Sequence, residues 1–279
     1  MLLSNMTYEE IYREIRDDFR DVRDYYDKVL RPNLCKRACK SSKYPWRNIE
    51  GYTHPKSKNN YVYFSIVKKH SLWESPEVTV FCDYEGKYGK EIITIAIWKD
   101  RKTFQDALVI SVFQAHFFKR YFERFIKDDT AEADKIIIFL ARNAYSLPLS
   151  AEAVSAKELL KDEPEYINTA MLNLDGLCLG KIRNENRNII IYKTFLPFDE
   201  LHHNQNEKVF PEYIRMMATH ACADYPQCAK TINDMYMTAA RNLHEIAQGD
   251  NHMTEEERYR AFMKEYSTAC HALSKYIII

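Results

Sequence analysis

The sequence predicts an α+β fold with a central antiparallel sheet, an N-terminal helix and a helical C-terminal third. A helical apolar stripe opens the chain, segments rich in β-branched and aromatic residues fill its middle, and two further helical stripes close it. With 279 residues, 46% of them hydrophobic, the chain is long enough to bury a large core. We expect one compact unit with three parts: an N-terminal helix and basic linker over 1–50, an α+β core over 51–205, and helices packed on that core over 206–279.

The first helix is predicted over residues 8–30, where apolar side chains recur every three or four positions. Thr7 and Glu10 have the spacing of a capping box at its start, and Pro32 marks its stop. Residues 31–47 then carry six basic side chains and no acidic one. We interpret this second segment as a basic linker.

The middle of the chain alternates between strand-like and helix-like patterns. Strands are predicted over 61–67, 77–83 and 92–98. The next segment runs from the capping-box pair Thr103 and Asp106 to residue 127, and a helix over 131–145 and a loop over 146–164 follow it. Two more strands are predicted over 170–174 and 188–196. In the segment after Thr103, residues 108–113 fit a strand and the second half is helical in period. The strands are expected to form antiparallel meanders.

The C-terminal third predicts three helices, over residues 211–222, 228–248 and 254–276. Gly249 is a stop signal, and Thr254 with Glu257 forms a capping box for the last helix.

Composition excludes several classes of protein. No apolar run approaches the ~20 residues of a membrane helix, and the N-terminus lacks the basic and apolar regions of a signal peptide. The glycine motifs of dinucleotide-binding and P-loop folds do not occur. Seven cysteines at irregular spacings are expected to be reduced thiols in the cytoplasm. The histidines and cysteines match no standard zinc spacing, so neither a metal nor a cofactor is expected.

One helical segment carries a histidine and two arginines in register. His116, Arg120 and Arg124 follow one another at four-residue spacing and so lie along one side of a helix. Arginine matches phosphate oxygens, and histidine moves protons near neutral pH. The structural alternative is a ridge whose arginines pair with carboxylates of neighbouring helices.

Further candidates follow at the last predicted strand. Lys193 and Thr194 lie near its end, where one of the two would face a cleft, and His202 and Gln205 lie in the polar loop beyond it. The alternative for Lys193 is an ordinary lysine on an edge strand.

The order of these candidate residues along the chain, within about 103–205, resembles that in the superfamily of small endoribonucleases that includes barnase, EndoU, colicin nucleases and RelE. The resemblance implies metal-independent RNA cleavage, in which the ribose 2′-hydroxyl attacks its own 3′-phosphate. It implies His116 as base or acid, and Arg120 and Lys193 as cations around the phosphate. It also implies that Thr194 donates a hydrogen bond, that Arg124 holds a neighbouring phosphate and that His202 is a second proton carrier. Gln205 is a looser match to the family's pattern.

Two other functions fit the same sequence. The basic and aromatic stretch over 31–69 is typical of a protein that binds RNA without cleaving it. Many tyrosines and three helical stripes also suit a non-enzymatic scaffold that binds a protein partner. The endoribonuclease hypothesis leaves open a protein inhibitor as a partner, and no hypothesis involves a membrane.

Overall fold

A computed structural model describes residues 1–86, 89–99, 106–126, 132–156, 163–183, 187–249 and 253–277. The helices are α1 (Tyr8–Tyr25), α2 (Arg31–Cys39), α3 (Ala115–Arg124), α4 (Glu132–Asn143), α5 (His203–Asp224), α6 (Ala229–Gln248) and α7 (Glu255–Ser274). The strands are β1 (Trp46–Thr53), β2 (Asn60–Val67), β3 (Glu77–Gly86), β4 (Gly89–Lys99), β5 (Asp106–Phe113), β6 (Ser146–Ser150), β7 (Tyr166–Asn173), β8 (Gly176–Arg183) and β9 (Ile189–Pro197). Among the described helices, none is both long and apolar enough to cross a membrane.

The nine strands form one sheet in the order β1-β2-β3-β4-β5-β9-β8-β7-β6. Neighbouring strands run antiparallel except at the centre, where β5 and β9 pair in parallel. The sheet therefore consists of two antiparallel meanders, and the chain passes from one to the other through α3 and α4. This architecture confirms the predicted α+β class, with its mostly antiparallel sheet, N-terminal helix and C-terminal helices.

Helices cover both faces of the sheet. On β9, Ile191 packs in the core beneath α1, whereas Ile190 packs beneath α3 and α4. On β8, Leu179 packs against α5 to α7 and Cys178 faces α3 and α4. Because successive strand residues point to opposite faces, α1 and the C-terminal helices share one face, and α3 and α4 cover the other.

The N-terminal helix extends further than its sequence predicts. After α1 the chain makes a π-helical turn over Tyr26–Leu30 and continues as α2, so the basic segment is helical at its start. Pro32 does not end the helix, because it lies in the first turn of α2, where a missing N–H is tolerated. The predicted stop at Pro32 is therefore wrong.

Other element boundaries also differ from the prediction. β1 and β6 lie in segments interpreted as linker and loop, and β8 occupies the segment between two predicted strands. β5 includes residues 108–113, which confirms that they form a strand. Asp106 therefore does not begin a helix, and its capping-box partner Thr103 lies outside the described residues. α5 begins at His203 and includes Pro211. The predicted part boundaries at residues 50 and 205 fall inside β1 and α5.

A buried carboxylate joins α1 to the sheet. Glu91 on β4 is 2% exposed and accepts hydrogen bonds from the hydroxyl of Tyr8, at 3.1 and 3.2 Å. Burial raises the pKa of the Glu91 carboxyl, and the hydrogen bond from Tyr8 offsets this only partly. Gly86 on the neighbouring strand leaves room for the group, since a Cβ there would lie 2.8 Å from Glu91 Cδ.

Glu91→Gln is expected to stabilise the fold at neutral pH. The raised pKa means that the native state binds its proton more tightly than the unfolded chain, so the wild type loses stability as pH rises through that window. The uncharged glutamine escapes this loss and still accepts from Tyr8. Urea unfolding between pH 4 and neutral pH measures the difference, which should shrink as pH falls. The exposed Glu85→Gln on β3 removes the same charge, and an equal effect there would contradict the prediction.

Candidate functional site

Helix α3 presents the predicted histidine and one arginine to solvent. Phe117 and Tyr121 are buried on its inner side, while His116 is exposed on its outer side. Arg120 is half-buried, and its Nε donates to His116 Nε2 at 3.5 Å. The sequence thus places these two side chains correctly on one side of a helix.

Arg124 is engaged in holding α3 to the end of β9. Its Nη1 donates to the Phe195 carbonyl at 3.0 Å and lies 2.9 Å from Glu200 Oε2. These contacts correspond to the structural alternative for Arg124.

Lys193 lies across the sheet from α3. Its Nζ is 3.2 Å from Glu163 Oε1, and the same oxygen lies 2.7 Å from the Nζ of Lys181. Lys181 pairs with Ile191, whose side chain packs beneath α1. The hydrogen bond from Lys181, which has the largest effect, and the one from Lys193 lower the pKa of the Glu163 carboxyl. Lys193 therefore lies on the α1 side of the sheet, whereas His116 and Arg120 belong to a helix on the other side.

A β-bulge sets the position of Lys193. In the β8–β9 ladder, Leu179 pairs with Thr194 and Gly180 with Tyr192, so Lys193 is the extra, unopposed residue. Strand alternation alone cannot predict the face on which such a residue lies. Thr194 pairs with Leu179, whose side chain packs against α5 to α7, so Thr194 lies on the same side of the sheet as Lys193.

The last two candidates, His202 and Gln205, lie at the start of α5. The Gln205 side chain accepts from the His202 backbone N–H at 3.0 Å and donates to the Ser155 carbonyl at 3.1 Å. Gln205 is buried and His202 is exposed. Gln205 thus caps a helix, and the structure does not gather the predicted residues into one group. The endoribonuclease hypothesis remains a prediction.

Exposed cations gather at the β1 edge of the sheet. We call this the basic surface: Arg31, Lys36, Arg37, Lys40, Lys43 and Arg47, all of them exposed. Leu34 anchors α2 in the core beneath α1, and the Tyr44 hydroxyl donates to the Ala38 carbonyl, so α2 lies beside the start of β1. The surface therefore comprises α2, the turn that follows it, and the edge strand.

The charge of the basic surface is largely unneutralised. Among the described residues, only Arg37 of the six forms an ion pair, with 3.9 Å between its Nη1 and Glu50 Oε2. On α1 and the π-helical turn after it, by contrast, Arg16, Arg23 and Lys28 each have a carboxylate partner. Five clustered cations without a carboxylate partner attract polyanions.

Two aromatic side chains accompany these cations. Tyr44 and Trp46 are half-buried, and the Arg37 guanidinium lies over the Trp46 ring, 5.8 Å from its centroid. A ring beside a guanidinium offers a flat surface on which a nucleobase can stack.

The basic stretch over 31–69 does not act as a whole. Lys68 is buried in an ion pair with Asp224, and Lys69 donates to the Asp224 backbone carbonyl. These two lysines contact the C-terminal end of α5 and are therefore not counted in the basic surface.

A polar network links α1 to the loop between β1 and β2. Asp18 is buried, with its Oδ2 2.5 Å from Ser57 Oγ and its Oδ1 3.1 Å from His54 Nδ1, and His54 Nε2 lies 3.2 Å from Asp21 Oδ2. The network borders a cavity of about 410 Å³. The Ser57 backbone N–H also donates to His54 Nδ1, so these bonds hold the loop in shape.

The sequence contains one signal for this network. Asp18 continues the apolar stripe formed by Ile11, Ile15 and Val22, so an acid occupies an inward position of α1. A carboxylate on the buried face of a helix indicates polar partners within the core. Across the described residues, no group of three or more histidine, cysteine, aspartate or glutamate side chains is arranged to hold a metal ion.

Comparisons with known proteins give no relative. No protein-family model, no curated protein and no solved structure matches this chain.

Proposed function

We propose that this protein binds single-stranded RNA through the basic surface on α2 and β1. The observation that carries the proposal is the set of five exposed cations without a carboxylate partner in the described structure. Contacts between such cations and phosphates release counterions, which supplies most of the sequence-independent affinity for nucleic acid.

The half-buried Tyr44 and Trp46 favour a single strand over a duplex. Bases in a single strand are free to stack on aromatic rings, whereas those of an RNA duplex are already paired and stacked. The edge position of β1 leaves one side of the strand open to RNA, because among the described strands only β2 pairs with it.

Binding is expected to weaken steeply with salt. Each phosphate contact to a single strand contributes about −0.7 to the slope of log K against log salt, so five contacts predict a slope of about −3.5. Fluorescence anisotropy with a labelled single-stranded RNA, repeated over a series of salt concentrations, measures this slope. Lys36→Ala with Lys40→Ala should lower its magnitude by about 1.4 and weaken binding to all sequences alike.

The matched control removes two exposed lysines elsewhere. Lys230→Ala with Lys264→Ala makes the same change in charge on α6 and α7. A similar loss in both double variants would mean that net charge, and not the basic surface, drives binding. An absence of RNA binding would contradict the proposal and favour the protein-interaction scaffold.

The same samples, held in excess EDTA, test for cleavage. The proposal predicts that the RNA stays intact. RNA cleavage that disappears in both His116→Ala and Arg120→Ala would instead support the endoribonuclease hypothesis, because these side chains share the exposed side of α3.

A further inference from the structure

A second surface feature, a small groove, lies between β4 and the helices α3 and α4. Its apolar walls come from Ile92, Phe118 and Ile136, which are buried, and from the half-buried Ala115 and Phe122. Its volume of about 280 Å³ is just below the usual range for small-molecule pockets, so only a small ligand fits. The apolar part of a ligand would bind favourably here, because it would displace water from these walls.

Lysines surround this apolar groove. Lys90 and Lys119 line it, and the Nζ of Lys135 lies over the Phe122 ring, 5.5 Å from its centroid. No carboxylate is among the described residues that line it. The groove therefore combines an apolar interior with a positive rim.

The carboxylate partners of the two lining lysines are weakly held. Lys90 Nζ is 3.2 Å from Asp83 Oδ2, and Lys119 Nζ is 4.0 Å from Glu123 Oε1. All four side chains are at least 43% exposed. Ion pairs this exposed contribute little to stability, so an anionic ligand can compete for the ammonium groups at small cost.

We propose that this groove binds a small amphipathic carboxylate, with its alkyl chain against the apolar walls and its head group on Lys90 and Lys119. The charge of the rim favours an anion, since an alcohol accepts a hydrogen bond from a lysine but carries no negative charge, and an alkylammonium ion would be repelled. The small volume fits a medium-length chain and excludes a folded protein segment. This site is independent of the basic surface, which lies at the β1 edge of the sheet.

Octanoate is a suitable probe for the groove. Ligand-observed NMR on the full chain should show saturable binding, with a Kd of about 0.1–1 mM for a ligand of this size. Octan-1-ol is expected to bind about tenfold more weakly, because its neutral hydroxyl replaces the carboxylate in the contact with the lysine ammonium groups. Octylammonium should bind more weakly still.

Charge reversal at the rim tests the location of the site. Lys119→Glu, at a side chain 70% exposed, should fold normally and weaken octanoate binding by at least about tenfold. Lys264→Glu makes the same change at an exposed position on α7 and should leave binding unchanged. Equal binding to the two variants, equal binding of octanoate and octylammonium, or no saturation well above the expected Kd would each overturn the proposal.

Discussion

Replacing Lys68 with methionine is expected to lower the free energy of unfolding by about 3–5 kcal/mol, because it leaves a buried carboxylate without its cation. The Lys68 ammonium lies 2.9 and 3.0 Å from the two oxygens of Asp224, and both side chains are at most 6% exposed. Burial lowers the pKa of Lys68, but hydrogen bonds to Asp224 and Glu77 outweigh it and the net pKa is raised. The lysine is thus charged across the neutral range, and the loss should not vary with pH there.

The position of this pair in the fold explains its importance. Lys68 follows β2, in the first meander, whereas Asp224 ends α5 and also accepts from the hydroxyl of Tyr145, just before β6. β2 and β6 belong to different meanders and are far apart in the strand order, so the ion pair connects the two meanders at a distance from their shared β5–β9 contact. In Lys68→Met, the charge of Asp224 would be buried without a cation, and this would loosen the contact between the two meanders.

Urea unfolding of three variants separates the ion pair from simple packing. The double variant Lys68→Met with Asp224→Leu removes both charges and should recover more than half of the lost stability, since apolar groups often replace a buried pair without cost. Lys28→Met breaks the exposed pair with Asp24 and should cost less than about 1 kcal/mol. A double variant less stable than Lys68→Met alone would show that the charges are not what couples these residues.

The sequence predicts those elements whose burial follows a regular period. α1, α6 and α7 have one apolar stripe each and are correctly placed, as are the capping boxes at Thr7 and Thr254. β8 has no such pattern, because its first six residues are buried on both faces. Its two glycines resemble a turn, yet a Cβ at Gly180 would lie 2.3 Å from the Ile191 carbonyl oxygen, so glycine permits the close approach of β9.

Edge strands were also missed, for a different reason. β1 contains Asn48, Glu50 and Gly51, and β6 contains Pro148, which are residues that central strands avoid. Among the described strands, β1 pairs with β2 alone and β6 with β7 alone, and it is this one partner that fixes the conformation of each. Such long-range pairing is not visible in a local pattern.

The candidate site residues divide in the same way. Helical spacing places His116 and Arg120 together, because that relation is local. The side of the sheet on which Lys193 lies depends on a bulge. Whether the cations of the basic surface form ion pairs depends on which carboxylates lie nearby. Both are properties of the folded chain. Composition shows that six cations occur over 31–47, and the structure adds that five have no carboxylate partner among the described residues.

Asp18→Ala is expected to lower the free energy of unfolding by about 2–6 kcal/mol. Asp18 Oδ2 accepts from Asn59 Nδ2 at 2.7 Å and from the Tyr61 hydroxyl at 2.8 Å. Tyr61 is 1% exposed and Asn59 is 3% exposed. Alanine leaves these two buried donors without their acceptor, and each unsatisfied group costs about 1–3 kcal/mol.

A double-mutant cycle with Tyr61→Phe tests that cause directly. In the wild type, Tyr61→Phe removes a satisfied hydroxyl and should destabilise the protein; after Asp18→Ala, the same change removes an unsatisfied hydroxyl and should be neutral or stabilising. Asp17→Ala, at a neighbouring side chain 73% exposed, removes the same charge from α1 and should change stability by less than about 1 kcal/mol. Additive effects of Asp18→Ala and Tyr61→Phe would show that the loss comes from the helix itself. The network between α1 and the β1–β2 loop would then contribute nothing to it.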